Sequence, residues 1–356
     1  MSVLEPPYTA LDSGDMAGRI ERIPEQIEEA LARAAAEPWP RPARMPSSLL
    51  VGAMGGSAIA GELTAGLYED RLPRPLLSVR GDRWPAYATR EAFALLCSYS
   101  GKTEETLALY REAAHRGVPR AALTTGGALA VACDRDGVPW HKLPPGSPPR
   151  AAMYAAWVAI SHLVSSLEWV DDPAPGWREA VTLLRERNRT LGPRSAEAQN
   201  PAKQLARALA GRFVFVYAGA ERVGPVATRV RHQLNENAKL LGHSALVPEL
   251  NHNEIVGWER AGTMPAAVLL LRDAEDSDDT SRRLSLTAEM AAQQGATVHE
   301  VTSVGEGRIA RLASLAQFGD YLSLYLAFVQ GVDPTPIASI DEFKRRLADS
   351  GSARGR

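Results

Sequence analysis

FALLCSYSGKTEETLALYREAA, residues 93–114, reads as three pieces in a row. Phe93 to Cys97 is a short unbroken apolar run, the pattern of a strand covered on both faces. Thr103 to Ala114 is amphipathic at helical spacing, and the polar turn between the two carries Gly101. The same unit stands upstream, where the run Leu49 to Ala53 leads through Gly55 and Gly56 into a helical pattern over Ile59 to Tyr68. Leu76 to Val79, Ala121 to Thr124 and Leu129 to Cys133 continue the alternation. Strands alternating with helices imply parallel strands joined by crossover helices, hence a doubly wound α/β sheet.

The pattern then repeats. Phe213 to Tyr217, a turn at Gly219, a helix over Val223 to Leu241, and runs at Leu246 to Val247, Ala266 to Leu271 and Thr297 to Val301 predict a second half like the first. Arg150 to Leu209 is mainly helical and reads as a connector, with Trp157, Leu163, Val181, Leu184 and Leu205 as its buried face. A helix over Asp15 to Ala35 precedes everything, a long helix over Ile309 to Phe328 and a short one around Asp341 to Leu347 follow, and Gly351 to Arg356 reads as a basic tail. The expected organisation is therefore a helical segment at 1–40, a first doubly wound half at 41–150, a connector at 151–209, a second half at 210–332, and a C-terminal helix with tail at 333–356.

Composition narrows the partners. The chain has 356 residues, 45% of them hydrophobic, with 40 Lys and Arg against 42 Asp and Glu, so no basic field draws it to nucleic acid or anionic lipid. A small-molecule partner is expected. Cys97 and Cys133, with no Cys-x-x-Cys spacing, offer neither a disulfide framework nor a thiolate zinc site and suit a reducing cytoplasm. The first residues lack the basic start and apolar run of a signal peptide. The apolar stretch Ala151 to Val164 is interrupted by Ser161 and His162 and falls short of the ~20 residues that cross a bilayer.

Chemistry gathers first at Ser98, Ser100 and Thr103. Between strand and helix, free backbone N–H groups and the positive helix end meet three hydroxyls, which makes an anion pocket. The plainer reading makes Ser100 and Thr103 helix caps, with Glu104 and Glu105 complementing the dipole. Three hydroxyls with a Gly and Lys102 in one turn favour phosphate. Gly101-Lys102-Thr103 imitates the end of a P-loop, but Leu96 stands where that motif needs a glycine, so a single phosphate is the better expectation. The turn with Gly55, Gly56 and Ser57 is not Gly-x-Gly-x-x-Gly, which leaves dinucleotide binding little support. Its glycines serve a tight turn or a close approach of backbone to a sugar, and the sequence leaves both open.

Glu236 lies near the end of the helix striped by Val223, Val226, Val230, Leu234 and Leu241, on another face with Arg229, His232 and Gln233. Helix glutamates are commonly solvated, yet Asn235 and Asn237 beside it are poor helix formers and suggest a polar cavity. Pro248 to Ile255 sets His252 among Asn251, Asn253, Glu249 and Glu254. A metal site on Glu249, His252 and Glu254 is conceivable, although no further ligand stands at recognisable spacing and the asparagines suit sugar hydroxyls equally well. His115, His141, His162, His243 and His299 read as isolated structural or surface residues.

Four motifs in order, residues 54–62, 98–106, 235–239 and 251–254, resemble those of the bifunctional phosphoglucose/phosphomannose isomerases, a family of double SIS-domain enzymes. The likeness runs from about residue 45 to 348 and implies two flavodoxin-like SIS domains. It implies that Ser98, Ser100 and Thr103 hold a substrate phosphate, and that Gly55, Gly56 and Ser57 line a sugar pocket. Arg150 then resembles the arginine that stabilises an enediolate, and Glu236 the base that moves a proton between C2 and C1. His252 resembles the ring-opening histidine that relatives take from the other subunit of a dimer, and Lys344 the C-terminal active-site lysine. The resemblance implies a homodimer acting on sugar phosphates without metal or other cofactor. Lys102 departs from the more usual Asn and either touches phosphate or faces solvent. A regulatory SIS module that only binds its sugar phosphate is the rival reading, and Glu236, His252 and Lys344 argue against it because binding alone does not require them. An isomerase of another phosphosugar is a closer alternative.

Overall fold

The computed structural model describes residues 2–8 and 10–353. Its strands are β1 (Leu49–Ala53), β2 (Leu76–Val79), β3 (Phe93–Cys97), β4 (Arg120–Thr124) and β5 (Trp140–Lys142), then β6 (Phe213–Gly219), β7 (Gly242–Val247), β8 (Ala266–Arg272) and β9 (Thr297–Thr302). All pair in parallel, in two sheets ordered β2-β1-β3-β4-β5 and β7-β6-β8-β9. The second order repeats the first without its fifth strand, so the doubly wound class read from the alternation stands. In each sheet the strand order reverses once, between β1 and β3 and between β6 and β8. Connections leave to opposite faces at such a point and open a crevice at the carboxyl ends of the strands.

The helices are α1 (Met16–Glu21), α2 (Ile23–Ala36), α3 (Gly55–Leu67), α4 (Glu104–Arg116), α5 (Gly127–Asp136), α6 (Met153–Ser166), α7 (Ala174–Leu191), α8 (Pro201–Leu209), α9 (Gly224–Glu236), α10 (Asp278–Gln293), α11 (Arg308–Val329) and α12 (Ala338–Ala353). The inner faces of both sheets, through Val51, Leu95, Val214 and Val216, share one core with α2, α3, α6, α7, α8, α9 and α11. The outer face of the first sheet is covered by α4 and α5, and that of the second by α10 and two 3-10 turns, Glu249–His252 and Glu254–Thr263. α11 is buried on all sides from Ile309 to Phe328, as a central helix must be. It is the one described helix long and apolar enough to cross a bilayer, and 94% of that stretch lies inside the fold.

Three expectations need correction. The helix read over Asp15 to Ala35 is broken at Arg22, because Pro24 supplies no N–H and crowds the preceding turn. The helix read to Leu241 ends at Glu236: Lys239 takes a left-handed φ of 54°, the Leu240 N–H turns back to the Leu234 carbonyl, and Leu241 is 73% exposed rather than part of the stripe. The final helix is longer than expected and reaches Ala353, so the first residues of the basic tail are helical and 354–356 lie outside the described residues.

Across the core α3 and α9 run antiparallel. Gly66, near the end of α3, lies against Pro225 at the start of α9, where an added Cβ would come within 3.1 Å of the proline ring. The carboxyl end of α9, with Glu236, is thereby brought to the amino end of α3, with Gly55, Gly56 and Ser57.

Candidate active site

The turn after β3 is built on Gly101, at φ +61°, whose absent side chain leaves room for the Gly126 carbonyl. Leu129 N–H donates to the Gly101 carbonyl and Thr125 N–H to that of Tyr99, so the loop leading into α5 braces the turn from beneath. Thr103 occupies the N-cap of α4 without capping it. Its hydroxyl instead meets that of Ser98 at 2.9 Å, leaving the helix start without a side-chain cap. Ser98 is buried; Ser100 and Lys102 are exposed, the Ser100 hydroxyl accepting the Lys102 N–H.

The turn after β1 faces it. Ser57 lies beside Cys97, the residue preceding Ser98; burial pushes the Cys97 thiol up to about 12, and a hydrogen bond with the Ser57 hydroxyl opposes this. Gly55 has φ +52° and open space where a side chain would stand. Gly56 is needed for another reason: a Cβ there would come within 3.2 Å of the Pro149 carbonyl. Gly55 thus serves the turn, while Gly56 makes a close approach to the protein backbone that carries Arg150, a contact the sequence did not reveal.

Arg150 sits in a 3-10 turn, Pro149–Ala151, with its side chain 2% exposed. Nε donates to Asn237 Oδ1 at 2.7 Å, and Nη2 to the carbonyls of Pro334 and Thr335 at 2.7 and 2.8 Å. Nη1 is left facing Glu236 Oε2 at 3.5 Å. Burial lowers the guanidinium pKa, Glu236 opposes that shift and Arg229 adds to it. The Glu236 side chain is 28% exposed, so it is partly shielded from bulk solvent.

Behind this pair lies a buried cluster. Arg229 donates to the Arg150 carbonyl at 2.7 Å and to Asp320 at 2.8 Å; Gln233 and Tyr154 donate to the same carboxylate. Asn237, fully buried, also donates to Ser323. The sequence reading missed Asp320, Asn237 and the carbonyls at 334 and 335 as parts of the site. A carboxylate inside the apolar helix of residues 309–328 was the available signal, since such a charge is buried only when paired. Lys239 was also passed over; its ammonium reaches the carbonyls of Glu236 at 2.8 Å and Pro334 at 3.3 Å.

Two of the sequence candidates stand apart. Lys344 is exposed on α12, with no hydrogen bond or ion pair among the described residues. His252 is exposed on the outer side of the second sheet, in the turn whose Leu250 packs with Tyr217 and Trp258, whereas α9 packs on the inner side. Glu249 and Glu254 are engaged by Asn253 and by Tyr217 with His243, and among the described residues no three His, Cys, Asp or Glu side chains converge as metal ligands. His243, read as isolated, is paired with Glu254.

Residues 198–347 match the model of the bacterial phospho-glucose isomerase C-terminal SIS domain. A bifunctional phosphoglucose/phosphomannose isomerase of Caldicellulosiruptor bescii is 32% identical over 332 residues, which span 93% of this chain and 98% of that one. The chain belongs to the bifunctional phosphoglucose/phosphomannose isomerase family. Membership makes it an isomerase, and an Aquifex aeolicus protein of the same family is 27% identical over 83% of this chain and 88% of its own. Two solved structures share the fold: a hypothetical protein of Thermus thermophilus, with TM-score 0.72 and 16% identity over 95% of this chain and 90% of that one. The other is the C-terminal domain of glucosamine-fructose-6-phosphate aminotransferase from Francisella tularensis, with TM-score 0.68 and 14% identity over 90% and 97%. Both likenesses concern architecture alone.

Proposed function

We propose that this family member interconverts glucose 6-phosphate and mannose 6-phosphate with fructose 6-phosphate through a cis-enediolate, without a metal. In this reading Ser98, Ser100, Thr103 and the uncapped start of α4 hold the phosphate, while Gly55, Gly56 and Ser57 wall the sugar. Glu236 takes the proton from C2 of the opened aldose, the C1 carbonyl oxygen gains the negative charge and Arg150 stabilises it; the C2 hydroxyl proton then passes to that oxygen, Glu236 returns its proton at C1, and C2 becomes the carbonyl. The two aldoses differ only at C2 and share this intermediate, so one base serves both. His252, supplied by the second subunit of a homodimer, assists ring opening. Lys344 completes the site from α12, which begins just beyond the Thr335 carbonyl that holds Arg150. We read 41–150 and 210–332 as the two SIS halves, joined by 151–209, with 1–40 and 333–356 as their helical extensions, working in a reducing cytoplasm with Cys97 and Cys133 free.

One observation carries the reading. A carboxylate and a fixed cation 3.5 Å apart stand at the point where the first sheet reverses its strand order, beside a helix start that has no side-chain cap. Binding alone needs the helix start; proton transfer needs the pair. A coupled assay of both aldose phosphates in the presence of chelator tests it: turnover of both is expected, and Glu236→Gln is expected to abolish it while substrate still binds. Activity restored only by added metal, or near wild-type turnover by Glu236→Gln, contradicts the reading.

A further inference from the structure

The residues around His252 are fastened by their own side chains, although Asn251 Oδ1 is buried without a partner among the described residues. Leu250 is buried; Asn251 donates to Thr287 at 2.8 Å; Asn253 donates to Glu249 at 2.7 Å and accepts the Glu254 N–H. Glu254 is held at both oxygens. Oε1 accepts from the Tyr217 hydroxyl at 2.6 Å, itself braced by Trp258 Nε1 at 3.1 Å, and Oε2 lies 2.9 Å from His243 Nε2. Every other polar side chain from 249 to 254 thus has a partner, and His252 alone has none among the described residues. The stretch spends its hydrogen bonds on its own shape and leaves one imidazole facing outward.

We propose that Glu254 is a positioning residue, which joins Tyr217 of β6 to His243 of β7 and thereby fixes the turn that presents His252. The proposal rests on the role given to His252 above. Its physical content is that two adjacent strands of a sheet form a rigid base, and a carboxylate bridging them transmits that rigidity to a group two residues away. A histidine that serves another subunit depends on such a base, because no residue of its own cleft orients it.

The test is a double-mutant cycle read in kcat and KM for fructose 6-phosphate. Glu254→Gln is expected to lower kcat ~10–100-fold, the cost of a small misplacement of a reacting group, with KM unchanged. In a His252→Ala background the same substitution is expected to cost nothing further. Tyr217→Phe, which removes one hydroxyl and keeps the ring, is expected to lower kcat ~3–10-fold with the same dependence on His252, and it serves should Glu254→Gln fail to fold. Equal losses in both backgrounds, a KM that rises as kcat falls, or wild-type turnover by Glu254→Gln and Tyr217→Phe overturns the proposal and leaves the role of His252 standing. Wild-type turnover by His252→Ala overturns both.

Discussion

Glu236 and His252 lie on opposite faces of one sheet. Val226, Val230 and Leu234 of α9 pack on the inner face with Val214 and Val216, whereas Leu250 and Trp258 pack on the outer face with Tyr217 and Val247. Within one chain a β-sheet separates the two groups. If both act on the same sugar, they come from two chains. Glu236→Gln and His252→Ala proteins, the first inactive and the second slow but measurable, are therefore expected to regain about a quarter of wild-type activity after being unfolded together and refolded, because half the twofold dimers are hybrids with one intact site. No recovery in hybrids verified by mass spectrometry contradicts the shared site.

Arg150 is expected to tolerate no other cation. Its fork is divided among Asn237, two carbonyls and Glu236, a geometry that a single ammonium does not reproduce. Arg150→Lys should lower kcat by about 10²–10³-fold, the range for losing a fixed donor to a developing oxyanion. KM should move little. A steady-state assay decides, and a loss confined to KM would assign the arginine to ground-state binding instead.

In the proposed reading the hydroxyls at 98 and 103 hold the substrate phosphate. Each is the other's partner at 2.9 Å, so removing either leaves the other without it. Ser98→Ala and Thr103→Val should each raise KM for the phosphorylated sugar roughly 5–10-fold, the worth of about one hydrogen bond, and weaken competitive inhibition by inorganic phosphate in parallel. Unchanged phosphate inhibition would place the anion elsewhere.

The sequence makes most of this architecture legible, for reasons visible in particular elements. β1, β3 and β8 are unbroken apolar runs because both faces of a parallel strand are covered, and they emerge nearly at their read limits. β5 was not read, since Trp140, His141 and Lys142 at the sheet edge form no apolar run. Within the site, the hydroxyl turn and Glu236 were readable as local chemistry. The clamp on Arg150 was not: Asn237, Pro334 and Asp320 are far apart in the chain, and periodicity states which face of a helix is polar without stating what meets it. Glu236 and Asn237 illustrate the limit, as one flanking asparagine is the arginine's partner and the other, Asn235, accepts the Gly242 N–H.

Two glycines in the paired turns predict different penalties. Gly55→Ala introduces only a left-handed residue into open space, at a cost of about 1–2 kcal/mol. Gly101→Ala adds to that strain a methyl group driven into the Gly126 carbonyl, so the bracing loop must move. A loss of ~3 kcal/mol or more is expected, combining strain with displaced packing. Urea unfolding of the two variants checks the order, and equal losses would show that the loop gives way freely.

Burial first, then Arg231, Arg80 and Arg229, push the His232 imidazole down from 6.5 to about 4, and its Nε2 lies 2.9 Å from Arg231 Nη2 as acceptor. The unfolded chain takes up a proton on this ring below 6.5, the folded one only near 4, so between those values the unfolded state holds more protons. Stability must then fall as pH drops through that window. His232→Gln keeps an acceptor for Arg231 and removes the titration. It should flatten the decline by about 1–3 kcal/mol, given ~1.4 kcal/mol per unit and partial solvent access. A residual slope is expected from His141, His162 and His299, whose pKa values burial also lowers. Parallel urea titrations at pH 7 and 4.5 measure the difference, and identical slopes in the two proteins would mean that the ring at 232 is solvated when folded.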